Sequence, residues 1–326
     1  MPRFIIPNSV TLHTAHHFLT LNDFFGATGK GAELVLHPRW MHVEPYTLAM
    51  AAAWGAWCRR EGLRIRVQNL STQAKYAARM KLFEQIGIDP GFSVTEREEA
   101  GRFLPLRNVR TAIDIRGVIA DLSALLHLDK YPGALAAVQY CVSELLRNAL
   151  EHAGSPDGAF VCAHNYTTSK IRRVTVAVAD CGQGIAAHLT PSYPDVRGDD
   201  ARALALAMLP GVTGVRPGMY GTPDNAGAGL FITRSIAKGC GGYFLLSSGS
   251  ATYRLRRAKQ RSRSRRIVLD PLKERHDLWS LAGPWNGTVV ALEVRTDHIQ
   301  DFQQFFRWIR EQIPRPTPKR PRIKFT

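Results

Sequence analysis

The chain has 326 residues, 45% of them hydrophobic and 21% charged, with a formal net charge of +16. That length suits two domains and easily buries a core, and the composition is that of an ordinary globular protein. No uninterrupted apolar run is long enough to cross a bilayer, and Met1-Pro-Arg-Phe-Ile-Ile-Pro7 lacks the apolar stretch and cleavage site of a signal peptide, so no membrane association is expected.

In chain order, residues 33–36 read as a short apolar strand. Tyr46 to Arg60 reads as an Ala-rich helix ended by Glu61-Gly62, Leu63 to Val67 as a strand alternating apolar and basic residues, and Ala74 to Ile86 as a second helix ended by Gly87. This run predicts a small α/β domain over 1–88. Residues 89–109 are polar at their start and read as a linker. Beyond it, Ile113 to Leu128 and Gly133 to His152 read as helices, and Arg173 to Ala179 as a buried strand. Residues 186–225 are rich in Gly, Pro and Asp and contain one predicted helix, Asp199 to Leu209. Leu230 to Lys238 reads as a helix, Tyr243 to Ser247 and Thr288 to Val294 as strands, and Asp301 to Ile313 as a closing helix within a C-terminal segment, 301–326.

Three further features bear on the reading. Gly26-Ala-Thr-Gly-Lys-Gly31 lacks the glycine spacing and the Ser or Thr of a P-loop and reads as a turn. The five cysteines, Cys58, Cys141, Cys162, Cys181 and Cys240, form no C-x-x-C pair, which predicts reduced thiols in a cytoplasmic protein. The positive charge gathers in Arg254, Arg256, Arg257, Lys259, Arg261, Arg263, Arg265 and Arg266, inside an insertion over 250–286, and in a Pro-rich tail carrying Arg315, Lys319, Arg320, Arg322 and Lys324. Such runs read either as solvated segments or as a surface that tracks nucleic-acid phosphates.

Three motifs carry the chemistry. Glu144, Asn148 and His152 are four residues apart and share one face of a helix. An amide oxygen such as that of Asn148 suits Mg²⁺, which keeps water and phosphate oxygens as its other ligands; a glutamate one turn earlier can polarise an attacking water or hydroxyl. Next, the predicted strand delivers Asp180, followed by Gly182 and Gly184. A carboxylate there can accept from an exocyclic amine, and glycines permit close approach to a flat ring. Third, Asn225-Ala-Gly227-Ala-Gly229-Leu230 runs into a helix, whose free N–H groups suit phosphate. Alone, each has an ordinary structural reading: an exposed polar ladder, a strand-to-loop turn, a glycine-rich helix start.

Together, and followed by Gly287-Thr288 opening a late strand, the motifs resemble the GHKL ATPase superfamily (gyrase, chaperone, histidine kinase, mismatch repair) over residues 110–300. The resemblance implies a two-layer α/β sandwich of the Bergerat type that binds ATP with Mg²⁺. In it Glu144 resembles the general base, Asn148 the Mg²⁺ ligand, Asp180 the adenine-reading carboxylate, Gly182 and Gly184 the base pocket, and Gly227, Gly229 and Leu230 the phosphate turn. Thr288 resembles the supporting threonine, His152 occupies a variable position near the phosphates, and 186–225 resembles the ATP lid. A phosphoacceptor histidine helix and a transducer domain are not expected, and within the superfamily the chain resembles the anti-sigma branch. The segment 32–88 resembles a STAS domain, the substrate of anti-sigma kinases. Its acceptor loop would be Val43-Glu44-Pro45-Tyr46-Thr47, without a serine, and Thr47 serves only if its hydroxyl is exposed. The expectation is a slow, Mg²⁺-dependent ATP hydrolase acting as a conformational switch in a regulatory or defence pathway. The alternatives are a serine/threonine protein kinase and an ATP-gated module that does not hydrolyse. A regulatory protein partner, nucleic acid along Arg254 to Arg266, and a homodimer are the expected associations.

Overall fold

The computed structural model describes residues 1–26, 29, 31–39, 41–93, 102–167, 172–212, 227–257 and 267–313. Asn225, Lys259 to Arg266 and the basic tail lie outside the described residues.

The chain opens with β1 (Arg3–Ile6), β2 (Ser9–Val10), α1 (Ala15–Leu21), β3 (Gly31–Leu36), β4 (His42–Val43), α2 (Pro45–Arg60), β5 (Arg64–Gln68), α3 (Lys75–Arg79) and α4 (Leu82–Ile86). Strands β1, β3 and β5 form a parallel sheet with β3 in the middle. Proline at its first position starts α2, and every residue from Pro45 to Cys58 is buried. A helix apolar on all sides must lie between two layers, and α2 does so. It packs against β5 and α4 on one side and against β7, β8 and β10, defined next, on the other. Gly55 allows the close approach of α4, because a Cβ there would lie 2.4 Å from Ile86 Cγ2. The helix expected over 74–86 is broken in two by Lys81, whose φ of 61° is left-handed.

The remainder comprises β6 (Phe103–Val109), α5 (Ala112–Leu125), α6 (Pro132–His152), β7 (Ala159–Tyr166), β8 (Arg173–Asp180), α7 (Gly184–Leu189), α8 (Asp200–Ala207), α9 (Gly229–Gly239), β9 (Phe244–Leu255), β10 (His276–Arg295) and α10 (Phe302–Glu311). The five strands form an antiparallel sheet in the order β6-β7-β8-β10-β9. Its two faces are read directly from the alternation of side chains. Val174, Val176 and Val178 of β8 join the core under α5, α6, α9 and α10. Ala177 and Ala179 turn the other way, into the core shared with α2 and the N-terminal sheet. Small residues on that second face, with Cys162 of β7 and Ala291 of β10, let the Ala-rich face of α2 approach closely.

Three stretches differ from expectation for identifiable reasons. The second half of the 89–109 segment is strand β6, an edge strand that carries Pro105 where its register with β7 shifts between Leu104 and Arg107; a proline is tolerated at such an edge bulge. Strand β7 is buried on both faces, so its sequence lacks the alternation that marks a half-exposed strand. The 250–286 insertion begins and ends as continuations of β9 and β10, whose pairing reaches Leu255↔His276.

The described part of the basic run is committed to internal contacts. Arg254 pairs with Asp277 at 2.6 Å and donates to the carbonyls of Leu12 and His13, and Arg256 also pairs with Asp277. Arg257 holds both carboxylate oxygens of Glu293 at 2.7 Å. Glu293 also meets Arg173 at 3.1 Å, and Arg173 reaches Glu44, the residue just before α2, at 3.4 Å. Burial raises the pKa of Glu44, opposed by the Leu12 N–H and by Arg173. Thr47, one turn on, is fully buried, so its hydroxyl is not presented as an acceptor. All five cysteines are free and buried. Among the described residues no helix is long and apolar enough to cross a membrane.

Candidate functional site

Helix α6 supplies the first wall. Its apolar residues Val142, Leu145 and Leu146 are buried in the core, which turns the line Glu144, Asn148 and His152 toward α9 and the turn after β8. Glu144 is 8% exposed, and Arg147 Nη1 donates to its Oε1 at 2.8 Å. Burial raises the pKa of Glu144, and the positive charge of Arg147 opposes the shift. The Asn148 amide makes no hydrogen bond among the described residues.

The start of α9 meets this wall. A Cβ on Gly229 would lie 3.0 Å from Glu144 Oε2 and 3.4 Å from Asn148 Nδ2. Gly227 has a left-handed φ of 73° and accepts from the Gly211 N–H through its carbonyl at 2.9 Å. Leu230, expected at the phosphate turn, is partly buried and packs against the core that includes the apolar face of α6.

The end of β8 forms the second wall. Asp180 is 3% exposed, and its Oδ1 accepts from the N–H groups of Gly182 at 2.9 Å and Thr288 at 3.3 Å. Its Oδ2 makes no hydrogen bond among the described residues. Burial pushes the carboxyl up to about 7 against those two donors. Thr288 therefore supports Asp180 through its backbone. Gly182 lies against the end of α6, where a Cβ would sit 2.2 Å from the Ala153 carbonyl oxygen. Gln183 ties the same turn to α6, its N–H donating to Ala153 O at 2.8 Å and its amide to His152 O at 2.7 Å. His152 packs on His188 of α7 with ring centroids 4.6 Å apart, and burial, then His152, lowers the pKa of His188.

The arrangement brings Glu144, Asn148 and Gly229 together at one point and Asp180, Gly182, Gly184 and Thr288 at another. Helix α6 links the two, from Glu144 to Ala153, about 13 Å at 1.5 Å per residue. The segment expected as a lid is described as far as residue 212; there α7 and α8 pack through Leu189, Val196 and Ala203, and Asp200 Oδ2 holds Ser250 at 2.7 Å from its N–H and 2.8 Å from its hydroxyl.

Two participants escaped the motif reading. Ser248 of β9 is 2% exposed; its hydroxyl donates to Gly287 O at 2.6 Å and accepts from Ile185 N–H at 2.9 Å, fixing the turn after Asp180. Trp285 donates from its indole to Asp180 O at 3.0 Å. The only signals for them were a Ser247-Ser248 pair closing an apolar strand and an aromatic residue just before Gly287.

Among the described residues no group of three or more His, Cys, Asp or Glu side chains converges to hold a metal. The donor set at Asn148 fits an ion that brings most of its oxygen ligands with it, as Mg²⁺ does with a polyphosphate.

A search of curated proteins returned no match. The family model described as "Histidine kinase-like ATPase domain" matches residues 108–244, which takes in α6, the end of β8 and the start of α9 and stops short of Ser248, Trp285 and Thr288. The chain thus carries a histidine kinase-like ATPase domain, a domain type that supports ATP binding.

Proposed function

We propose that this protein binds ATP with Mg²⁺ and hydrolyses it slowly as a conformational switch. One observation carries the reading: Gly229, at the start of α9, stands directly against Glu144 and Asn148. A terminal phosphate held by the α9 N–H groups would lie beside a carboxylate that can accept a proton from water and an amide that can ligate the metal. The about 13 Å along α6 from this point to the Asp180 turn suits a nucleoside triphosphate laid between them. Bound Mg²⁺ would neutralise phosphate charge; Asn148 would hold it, Glu144 would orient the water, and Asp180 would accept from the adenine amine. The experiment is ATP turnover by the purified protein beside Glu144→Ala. Release of ADP by the wild type alone supports the reading, and equal release by both sinks it.

A second reading, ATP-gated partner binding without turnover, is favoured by one contact. Arg147 Nη1 occupies Glu144 Oε1 at 2.8 Å, which leaves a single carboxylate oxygen for a base. Tight ATP binding with no ADP release identifies this outcome. In either reading the N-terminal unit, expected from sequence to be STAS-like, serves as a fixed cover of the sheet, and Thr47, being enclosed, is not a phosphoacceptor. Transfer of label from γ-labelled ATP onto the protein itself or an added partner would instead support a serine/threonine kinase.

A further inference from the structure

Strand β10 loses register with β9 twice, between Ser280 and Trp285 and between Trp285 and Thr288. Through both shifts the side chains of β10 keep alternating, so that Leu281, Trp285 and Val289 face the same core and Trp285 is fully buried. The ladder between β8 and β10 ends at Ala179↔Val289. One residue later the Asp180 carbonyl receives the Trp285 indole N–H at 3.0 Å. The peptide unit so held belongs to the residue whose carboxylate is aimed by Gly182 and Thr288. Gly287 seals the arrangement, since a Cβ there would lie 2.2 Å from the same carbonyl oxygen.

The indole is itself held from the N-terminal unit. Phe24 and Phe25 both meet it with ring centroids 5.2 Å away, and Trp54 of α2 fixes this segment by donating to Phe24 O at 2.8 Å. A buried tryptophan needs a partner for its N–H and would find one in many places. What distinguishes this one is that its acceptor is the backbone of the base-reading residue and its packing partners come from 24–25, outside the ATPase domain.

We propose that Trp285, braced by Phe24 and Phe25, is a positioning residue that sets the Asp180 carboxylate for a 6-amino purine, so that the N-terminal segment shares in base selection. The inference rests on the nucleotide reading above. A 6-oxo purine offers an acceptor where adenine offers a donor, so a carboxylate held in place favours ATP over GTP, and one free to turn does so less.

The experiment is calorimetric titration of the full chain with ATP and with GTP, for the wild type, Trp285→Phe and Phe25→Leu. Trp285→Phe keeps an aromatic ring and removes the donor; it is expected to weaken ATP binding about tenfold and GTP binding less, so that the ATP/GTP affinity ratio falls. Phe25→Leu is expected to lower the ratio in the same direction and carries the test if Trp285→Phe does not fold. A ratio equal to that of the wild type, whatever the loss in melting temperature, overturns the proposal. A wild type that binds neither nucleotide overturns the underlying reading instead.

Discussion

Gly229 and Glu144 meet so closely that a side chain on the first would press on the second: a Cβ at 229 would lie 3.0 Å from Glu144 Oε2. The glycine is dictated by this neighbour, because its backbone is helical and demands no special φ. Gly229→Ala is therefore expected to fold, since alanine favours the helix, yet to move Glu144 and narrow the space for a phosphate. ATP affinity should fall about tenfold or more with little change in melting temperature, as read by calorimetric titration and thermal denaturation together.

Arg147 and Glu144 are coupled in charge. Burial raises the Glu144 pKa and Arg147 lowers it. Removing the arginine in Arg147→Ala leaves the first effect unopposed, so the carboxyl holds its proton to higher pH. The acid limb of the turnover profile, where loss of the base reduces rate, should shift to higher pH, and turnover above that limb should be kept or raised because Oε1 is freed. A profile superimposable on the wild type would remove Glu144 from the role of base.

Asp180 gives a second pH dependence. Its unfolded value is near 3.8 and its folded value is pushed up to about 7. Between those values the folded chain holds a proton that the unfolded chain releases, so the empty protein loses stability as pH rises through this window. Base binding runs the other way, because accepting from an amine requires the carboxylate. Adenosine, which carries no phosphate, should bind about tenfold more tightly at pH 8 than at pH 6. Asp180→Asn should bind it weakly and with no such pH dependence.

Glu293 sits between two arginines and is 1% exposed. It pairs with Arg173 at 3.1 Å and with Arg257 at 2.7 Å. Removing one partner from a buried ionic cluster leaves uncompensated charge and typically costs about 3–5 kcal/mol. Glu293→Ala should show that loss in denaturant unfolding, and Arg257→Lys, which cannot keep the bidentate grip on the buried carboxylate, should be measurably destabilising as well.

The residues of the proposed ATP site could be picked out in the sequence because the roles proposed for them restrict residue type. A metal amide, a base and a buried base-reading carboxylate have few substitutes, and Asn148, Glu144 and Asp180 stand at spacings that a helix and a strand end impose. Residues acting through their backbone or by packing were not legible. Thr288 serves through its N–H, Ser248 through hydrogen bonds to backbone groups 39 and 63 residues distant, and Trp285 looks in sequence like any core aromatic. The shared core was half visible. The stretch from Pro45 to Cys58 contains no charged residue, the mark of a helix covered on all sides, but nothing in the sequence says that its second cover is the sheet of the following domain. The left-handed turn at Lys81 left no trace, since lysine favours the helix it interrupts.

Helix α2 lies across the antiparallel sheet from β7 to β10 while α5, α6 and α9 lie across its other side. Held between two close-packed layers, the five strands make a stiff plate, and well-packed interiors yield little to bending. A signal raised by a bound nucleotide would then leave through the rim of that plate, at the turn after Asp180 where the Trp285 indole and Phe24 of the N-terminal unit meet.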